Sequence, residues 1–238
     1  MMRSLAIIFA IMLGSGCAQA QSSPDLVPAL QRLAAARNAE AIYYLGMSYH
    51  LGLGVAKDPA KALDLFRKGA ALGDPLAAYK LGCYYDGQGG DLVVADAAMA
   101  LTHKLVAARA GYALAQQDVA AHYAGQGDIK TSLEWLERAA AQGWPDSHYS
   151  YALLHRGYAG VPLDRVKSVA YLRLYLARRD DPQARAALEE DEPKLSPAER
   201  AAASAIVAAY RPAPSPLTRK ALSGLRAAEA LVANAPKG

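Results

Sequence analysis

Two glycine-rich runs, Gly52-Leu53-Gly54-Val55-Ala56-Lys57 and Gly87-Gln88-Gly89-Gly90, come nearest to a phosphate cradle in this chain. Such a cradle needs a strand before it and a Gly-Lys-Ser/Thr ending after it, so that backbone N–H groups and a lysine converge on the phosphate. Neither run has that ending, and both follow helical patterning. His148 and His155 stand seven residues apart and share a helix face, but a metal site needs a third ligand, and no HExxH or paired CxxC supplies one. No Gly-x-Ser-x-Gly elbow, Ser-x-x-Lys motif or catalytic pair of carboxylates is present. The residues therefore assign no catalytic, cofactor-binding or metal-binding set, and the expectation is a protein that is not an enzyme and needs no cofactor.

The glycines have a structural explanation in a repeating unit. The stretch from Ala41 to Ala77 carries a leucine-small pair followed three residues on by an aromatic, and the pattern returns three times. The register is Leu45, Gly46, Tyr49; Leu81, Gly82, Tyr85; Val119, Ala120, Tyr123; and Tyr151, Ala152, His155. Gly73, Gly111 and Gly143 close the alanine-rich second halves. Recurrence at this period is the mark of stacked helical hairpins. Ala41, Leu45 and Tyr49 share one stripe of a first helix, and side-chain-free Gly46 beside them lets a second helix approach. Gly52 and Gly54 end that helix in left-handed backbone, Asp58 caps the next and Pro59 fits its first turn. Ala62, Leu65, Phe66 and Ala70 make the second helix amphipathic. Burying each large apolar side chain is worth about 1.5–3 kcal/mol, which a lone hairpin cannot collect on both faces.

The run LGxxYxxGxGVxxDxxKAxxxFxKxA, carried by Leu45, Gly46, Tyr49, Gly52, Gly54, Val55, Asp58, Lys61, Ala62, Phe66, Lys68 and Ala70, resembles the Sel-one-like repeat, a relative of the tetratricopeptide repeat. The resemblance implies an all-α fold, a right-handed α/α superhelical solenoid of about four helix-loop-helix repeats with helical caps. The expected repeats are 41–76, 77–114, 115–146 and 147–181. The second loses the valine and aspartate of the loop, the third lacks the glycine-valine loop and turns on Gln126 and Gly127, and the fourth regains Gly160, Val161, Asp164 and Lys167. An N-terminal capping helix fills 21–40, with Asn38 standing in for the closing glycine. Capping helices fill 182–210, where Pro193 breaks one helix and Ser196, Pro197 and Glu199 form a capping box for the next. The acidic run Glu189 to Glu192 reads as a solvated helix end. RPAPSP then links to a basic tail within 211–238, helix-prone from Leu217 to Ala235, which either folds back, stays loosely ordered or touches an anionic membrane or cell wall.

Residues 1–20 read as a secretory signal peptide, with Arg3, an apolar run from Leu5 to Leu13 and an A-x-A site at Ala18 and Ala20 before Gln21. The rival reading makes Cys17 a lipid-bearing cysteine. Either way the chain leaves the cytoplasm, and the periplasm or the exterior is the expected compartment. Cys83 then has no intramolecular partner and reads as a small hydrophobe packed on the first helix of the second repeat. The formal net charge is +4, and the basic residues form no long run, so nucleic acid is not expected as a partner.

The resemblance implies that variable positions on the first helices present a face to a protein or peptide of the cell envelope. Removing consensus positions leaves Tyr44 and Ser48, Lys80 and Tyr84, Asp118 and His122, and Ser150 and Leu154, which either recognise a partner or pack against the adjoining repeat. Membrane contact would come only through a lipidated Cys17 or the tail helix. Secreted, cysteine-rich members of the resembling family are associated with β-lactam binding or hydrolysis, but they carry cysteine pairs in each repeat, which this chain does not. Gly54→Ala should lower stability by about 1 kcal/mol, because the turn requires left-handed backbone there; an unchanged denaturation midpoint would contradict the repeat register.

Overall fold

The computed structural model describes residues 25–236. The signal peptide, Cys17 and the residues before Asp25 lie outside the described residues. Within them every regular element is helical. After α1 (Leu26–Ala35) come four hairpins: α2 (Ala39–Leu51) with α3 (Pro59–Ala71), α4 (Pro75–Cys83) with α5 (Ala97–Arg109), α6 (Ala113–Gly125) with α7 (Ile129–Ala141), and α8 (Pro145–Leu154) with α9 (Arg165–Leu176). They are followed by α10 (Pro182–Asp191), α11 (Pro197–Ala209), α12 (Pro216–Ser223) and α13 (Leu225–Ala233). Each helix packs on the next from α1 to α9, which makes the α/α solenoid, and α10 and α11 both cover α9. The first helices begin at Ala39, Pro75, Ala113 and Pro145, two residues ahead of the expected repeat starts, because each opens at its N-cap and not at the first stripe residue.

Local chemistry explains the boundaries. Asp58, Asp74, Asp96, Asp128 and Asp164 each accept a backbone N–H of the first turn that follows, satisfying donors the helix leaves free. Gly52 and Gly54 have φ of 76° and 71°, the left-handed backbone that closes α2. Ser196 and Glu199 form the expected capping box.

The two helices of a hairpin meet at the small residue of the motif. A Cβ on Gly46 would come within 2.7 Å of Phe66, and one on Gly82 within 2.9 Å of both Lys104 and the Ala100 carbonyl. Ala120 and Ala152 occupy this place in the later repeats, where they cluster with Leu136 and Leu172 respectively. Glycine thus faces a long side chain and alanine faces leucine, so close packing is kept by compensation.

Three expectations are corrected. Arg37, at φ 63°, adopts the left-handed conformation of a closing glycine, while Asn38 is the N-cap of α2 and accepts from Ala41 N at 2.9 Å. The left-handed residue must precede the cap, as Gly73 precedes Asp74. The acidic run is no solvated end: Asp191 is buried and takes Arg156 Nε at 2.7 Å, Arg156 also reaches Glu190 at 2.6 Å, and Glu192 pairs with Arg173. These pairs clamp the cap onto the fourth repeat. The tail is two helices and not one, because Gly224 breaks it at φ 51°, ψ −117°, backbone that only glycine reaches readily.

The C-terminal segment folds back along the turns that join one hairpin to the next. Tyr210 donates its hydroxyl to Ala140 O at 2.5 Å, and Ala213 N donates to Ala141 O at 3.0 Å. Ser215 donates its N–H to Gln142 Oε1 at 2.8 Å and its hydroxyl to Gly111 O at 2.7 Å. Thr218 accepts from Ala113 N at 3.0 Å, and Lys220 reaches Glu40 at 2.9 Å. Finally α13 buries Ala228 in the cluster that holds Leu26 and Leu30 of α1 and Ile42 of α2. The segment is a strap that joins the last capping helix to the first.

The strap reaches an unusual carboxylate. Asp74, beside Glu40, is pushed from the ordinary 3.8 to about 6, first by burial and then by Glu40, against the pull of the Ala77 N–H and Lys220. Because the folded value lies above the unfolded one, the native state binds the proton more tightly between those values. Stability falls as pH rises from 4 to 6 and does not return above it. Asp74→Asn, which keeps the cap, should therefore gain up to about 3 kcal/mol at pH 7 and almost nothing at pH 4. Urea denaturation at the two pH values checks this, and parallel curves for the two proteins would refute it.

Candidate partner-binding face

The positions selected by consensus subtraction divide when the helices are assembled. Tyr44, Ser48 and Tyr84 are buried, so the expectation of a recognition face is corrected for these three. Ser48 donates to Tyr44 O at 3.1 Å, and the Tyr84 hydroxyl lies 2.9 Å from His50 Nδ1 with its ring edge-on to Phe66. The reason is register: residues two before and two after the small residue turn toward the neighbouring repeat. Ser150 and Leu154 occupy the same two places in the fourth repeat and are half-buried.

Lys80 is half-buried and makes no ion pair among the described residues; its ammonium lies 3.5 Å from His50 Nε2 and 3.4 Å from Gln88 Oε1. Burial pulls Lys80 below the ordinary lysine range. His50 is lowered to about 4, by burial first and then by Lys80 and Lys57, so it stays neutral.

Asp118 and His122 come together one repeat further on. With Asp86, Lys104 and Ala121 they line an open cavity of about 260 Å³. Lys104 stands where the other repeats place Phe66, Leu136 and Leu172, and its ammonium sits 2.6 Å from Asp86 and 2.9 Å from Asp118. Burial opposes its charge, but Asp118 and Asp86 together raise it above the ordinary lysine range. Tyr79 donates to Asp118 at 3.1 Å, and His122 lies 3.0 Å from Gln126. The first junction fills the same space with Phe66, Tyr84 and His50. An aromatic plug has been replaced by an ion-pair network that opens onto solvent.

A partly exposed stripe lies one residue away from the expected one. Three before and one after the small residue stand Tyr43 and Met47, Gln117 and Ala121, and Tyr149 and Leu153, of which Ala121 is exposed and the others half-buried. In the second repeat Tyr79 and Cys83 are buried, with Tyr112 edge-on to Tyr79 at 4.9 Å. Cys83 is thus the expected small hydrophobe, its thiol pushed up by burial. Sequence held a signal for this stripe, since a tyrosine outside the motif recurs as Tyr43, Tyr79 and Tyr149. The replacement of the consensus phenylalanine by Lys104 was equally legible.

The Sel1 repeat profile matches residues 39–74, 75–112, 108–144 and 145–174. This chain belongs to the Sel1 repeat family. Sel1 repeat proteins are generally protein-interaction scaffolds, typically without catalysis. Among solved structures, the chain is similar to a Sel1 repeat protein from Oxalobacter formigenes, at 24% identity over 70% of each chain and a TM-score of 0.60. It is also similar to c5321, a protective antigen of uropathogenic Escherichia coli with an SLR fold, at 20% identity, 88% of this chain, 51% of that one and a TM-score of 0.49. No curated protein matches the sequence. The likeness to the Oxalobacter formigenes protein carries the Sel1 fold and leaves the partner open.

The polar junction gives a direct test. Lys104→Phe combined with Asp118→Lys copies the first junction and should be neutral or stabilising by about 1–4 kcal/mol. Lys104→Phe alone should cost about 2 kcal/mol, less than a fully buried pair because the Asp118 side chain keeps 26% exposure. Denaturation midpoints check the order, and a double variant less stable than the single one would contradict the correspondence between junctions.

Proposed function

We propose that this Sel1 repeat protein is an exported, non-catalytic scaffold that binds a protein or peptide of the cell envelope along the partly exposed stripe of its first helices. The observation that carries the reading is the stripe itself: Tyr43 and Met47, Gln117, and Tyr149 and Leu153 keep part of their surface exposed on three of the four first helices, while Tyr43, Met47 and Tyr149 also pack against the core. Aromatic and amphipathic side chains at such positions supply contact area at small entropic cost. Lys80, lacking a carboxylate, and the Asp86–Lys104–Asp118 network add opposite charges one repeat apart. They favour a partner segment that presents an acid and then a base.

Export rests on the leader pattern of residues 1–20 and on the A-x-A site. A role as an envelope anchor is the second reading, and the strap bears on it. With Ala228 turned inward and Lys220 paired to Glu40, the tail spends part of its apolar and basic character on the protein itself. Anchoring then falls mainly to lipid on Cys17.

A photo-crosslinking residue at Met47 or Ala121 should capture the same envelope protein, which Lys80→Glu should weaken, while one at exposed Arg67 on the second-helix side should not. Capture from position 67 alone would overturn the assignment of the face. The intact mass of the purified envelope form should begin at Gln21; a mass that includes diacylglycerol on Cys17 would select the anchored form.

A further inference from the structure

Every hairpin is closed at its loop by the same backbone bond, from the N-cap aspartate of its second helix to the motif aromatic of its first. Asp58 N donates to Tyr49 O at 2.9 Å, Asp96 N to Tyr85 O at 2.9 Å, Asp128 N to Tyr123 O at 3.0 Å and Asp164 N to His155 O at 2.8 Å. Because the hairpins stack with their first helices pointing the same way, these loops share one edge of the solenoid. The opposite edge carries the turns between hairpins, and the strap runs along it.

The two edges differ in what they show to solvent. On the strap side the large turn residues Leu72, Tyr112 and Trp144 are all half-buried. On the loop side Leu51 ends α2 and Leu53 follows it, Leu92 and Val94 lie between α4 and α5, and Tyr158 and Leu163 lie between α8 and α9, with exposures from 38% at Leu53 to 88% at Val94. Six of the nine exposed large hydrophobic residues among the described residues are thus gathered on this edge, whereas such side chains are ordinarily scattered singly. Charge beside them is close to balance: Lys57 and Asp58 in the first loop, Asp91 and Asp96 in the second, Asp128 and Lys130 at the third, and Asp164, Arg165 and Lys167 at the fourth. Asp86 and Arg156 are taken up by Lys104 and by Glu190 with Asp191. The third loop is the shortest and offers only half-buried Ile129. The apolar side chains therefore form three separate projections with a gap before the last. A folded partner would have to match all three and the gap at once, whereas a fluid apolar layer takes each side chain where it stands.

We propose that the loop edge rests on a lipid bilayer, with the leucine and valine side chains of the three projecting loops in the interfacial layer. Tyr158, 59% exposed, lies at the level of the headgroups, where an amphipathic ring is favoured. Balanced charge makes the attraction apolar, so it does not require anionic lipid. Contact of this kind is reversible and is separate from anchoring by lipid on Cys17. The edge is also distinct from the stripe of the first helices and does not depend on the partner assigned there.

Photo-crosslinking residues placed one at a time in the full chain test the proposal on phosphatidylcholine vesicles. At the positions of Val94 and Tyr158 they should label lipid. At exposed Val106, near the opposite end of α5, and at exposed Leu222 on α12 they should not. Leu92→Asp combined with Val94→Asp should cut labelling from position 158 about tenfold, and because both side chains already meet solvent the melting temperature should hold. Adding phosphatidylglycerol or raising the salt should change little, since the edge is near neutral. The proposal is overturned if all four positions label alike, as a tether through residues 1–20 would produce, or if none labels. It is equally overturned if labelling needs anionic lipid and low salt, as a contact through the basic tail would, or if position 94 in envelope membranes captures protein and no lipid.

Discussion

The fold depends on how closely the two helices of each hairpin approach at one residue. At Gly46 a single added carbon would sit 2.7 Å from Phe66, so the hairpin closes only if the first helix offers no side chain there. The distance sets where the second helix lies, hence where the next first helix must dock, and the error would propagate down the stack. The later repeats keep the fit by exchanging Gly46 and Phe66 for alanine and leucine. What is retained from repeat to repeat is therefore a summed volume, and the identities are free to drift.

That freedom explains how much could be read from the letters. Glycines and aspartates at helix ends announce themselves because few residues can take left-handed backbone or cap a helix, so Gly52, Gly54, Asp58 and Ser196 were legible with their roles. Face assignment was harder. A shift of one residue on a helix turns a side chain by about 100°, enough to bury Tyr44 and leave Tyr43 at the edge of the same core. Long-range pairing was out of reach: nothing near Glu189 to Glu192 signals that Arg156 and Arg173 will meet them, and nothing near Ser215 signals Gln142.

The charged part of the candidate site originates in a departure from the repeat. Where the motif is followed, as at Phe66 and Tyr49, the side chains satisfy one another and leave no chemistry to spare. Where it is broken, at Lys104, charge remains beside a cavity. A repeat array supplies its own reference for each position, so its anomalies can be judged without any other protein. Sites of this kind are expected where local consistency is given up.

The strap changes the architecture's thermodynamics. An open stack of repeats is a linear chain of neighbours whose ends fray first, because each terminal unit has only one interface. Here Lys220 pairs with Glu40, and α13 lies on α1, contacts made across most of the sequence. The chain of neighbours is thereby closed into a ring, in which opening one end also releases the other. Such closure carries an entropic cost that grows only slowly with loop length, but it makes a helix synthesised late a requirement for completing one synthesised early. A nascent chain can stack its repeats in chain order, yet α1 stays incompletely covered until α13 arrives.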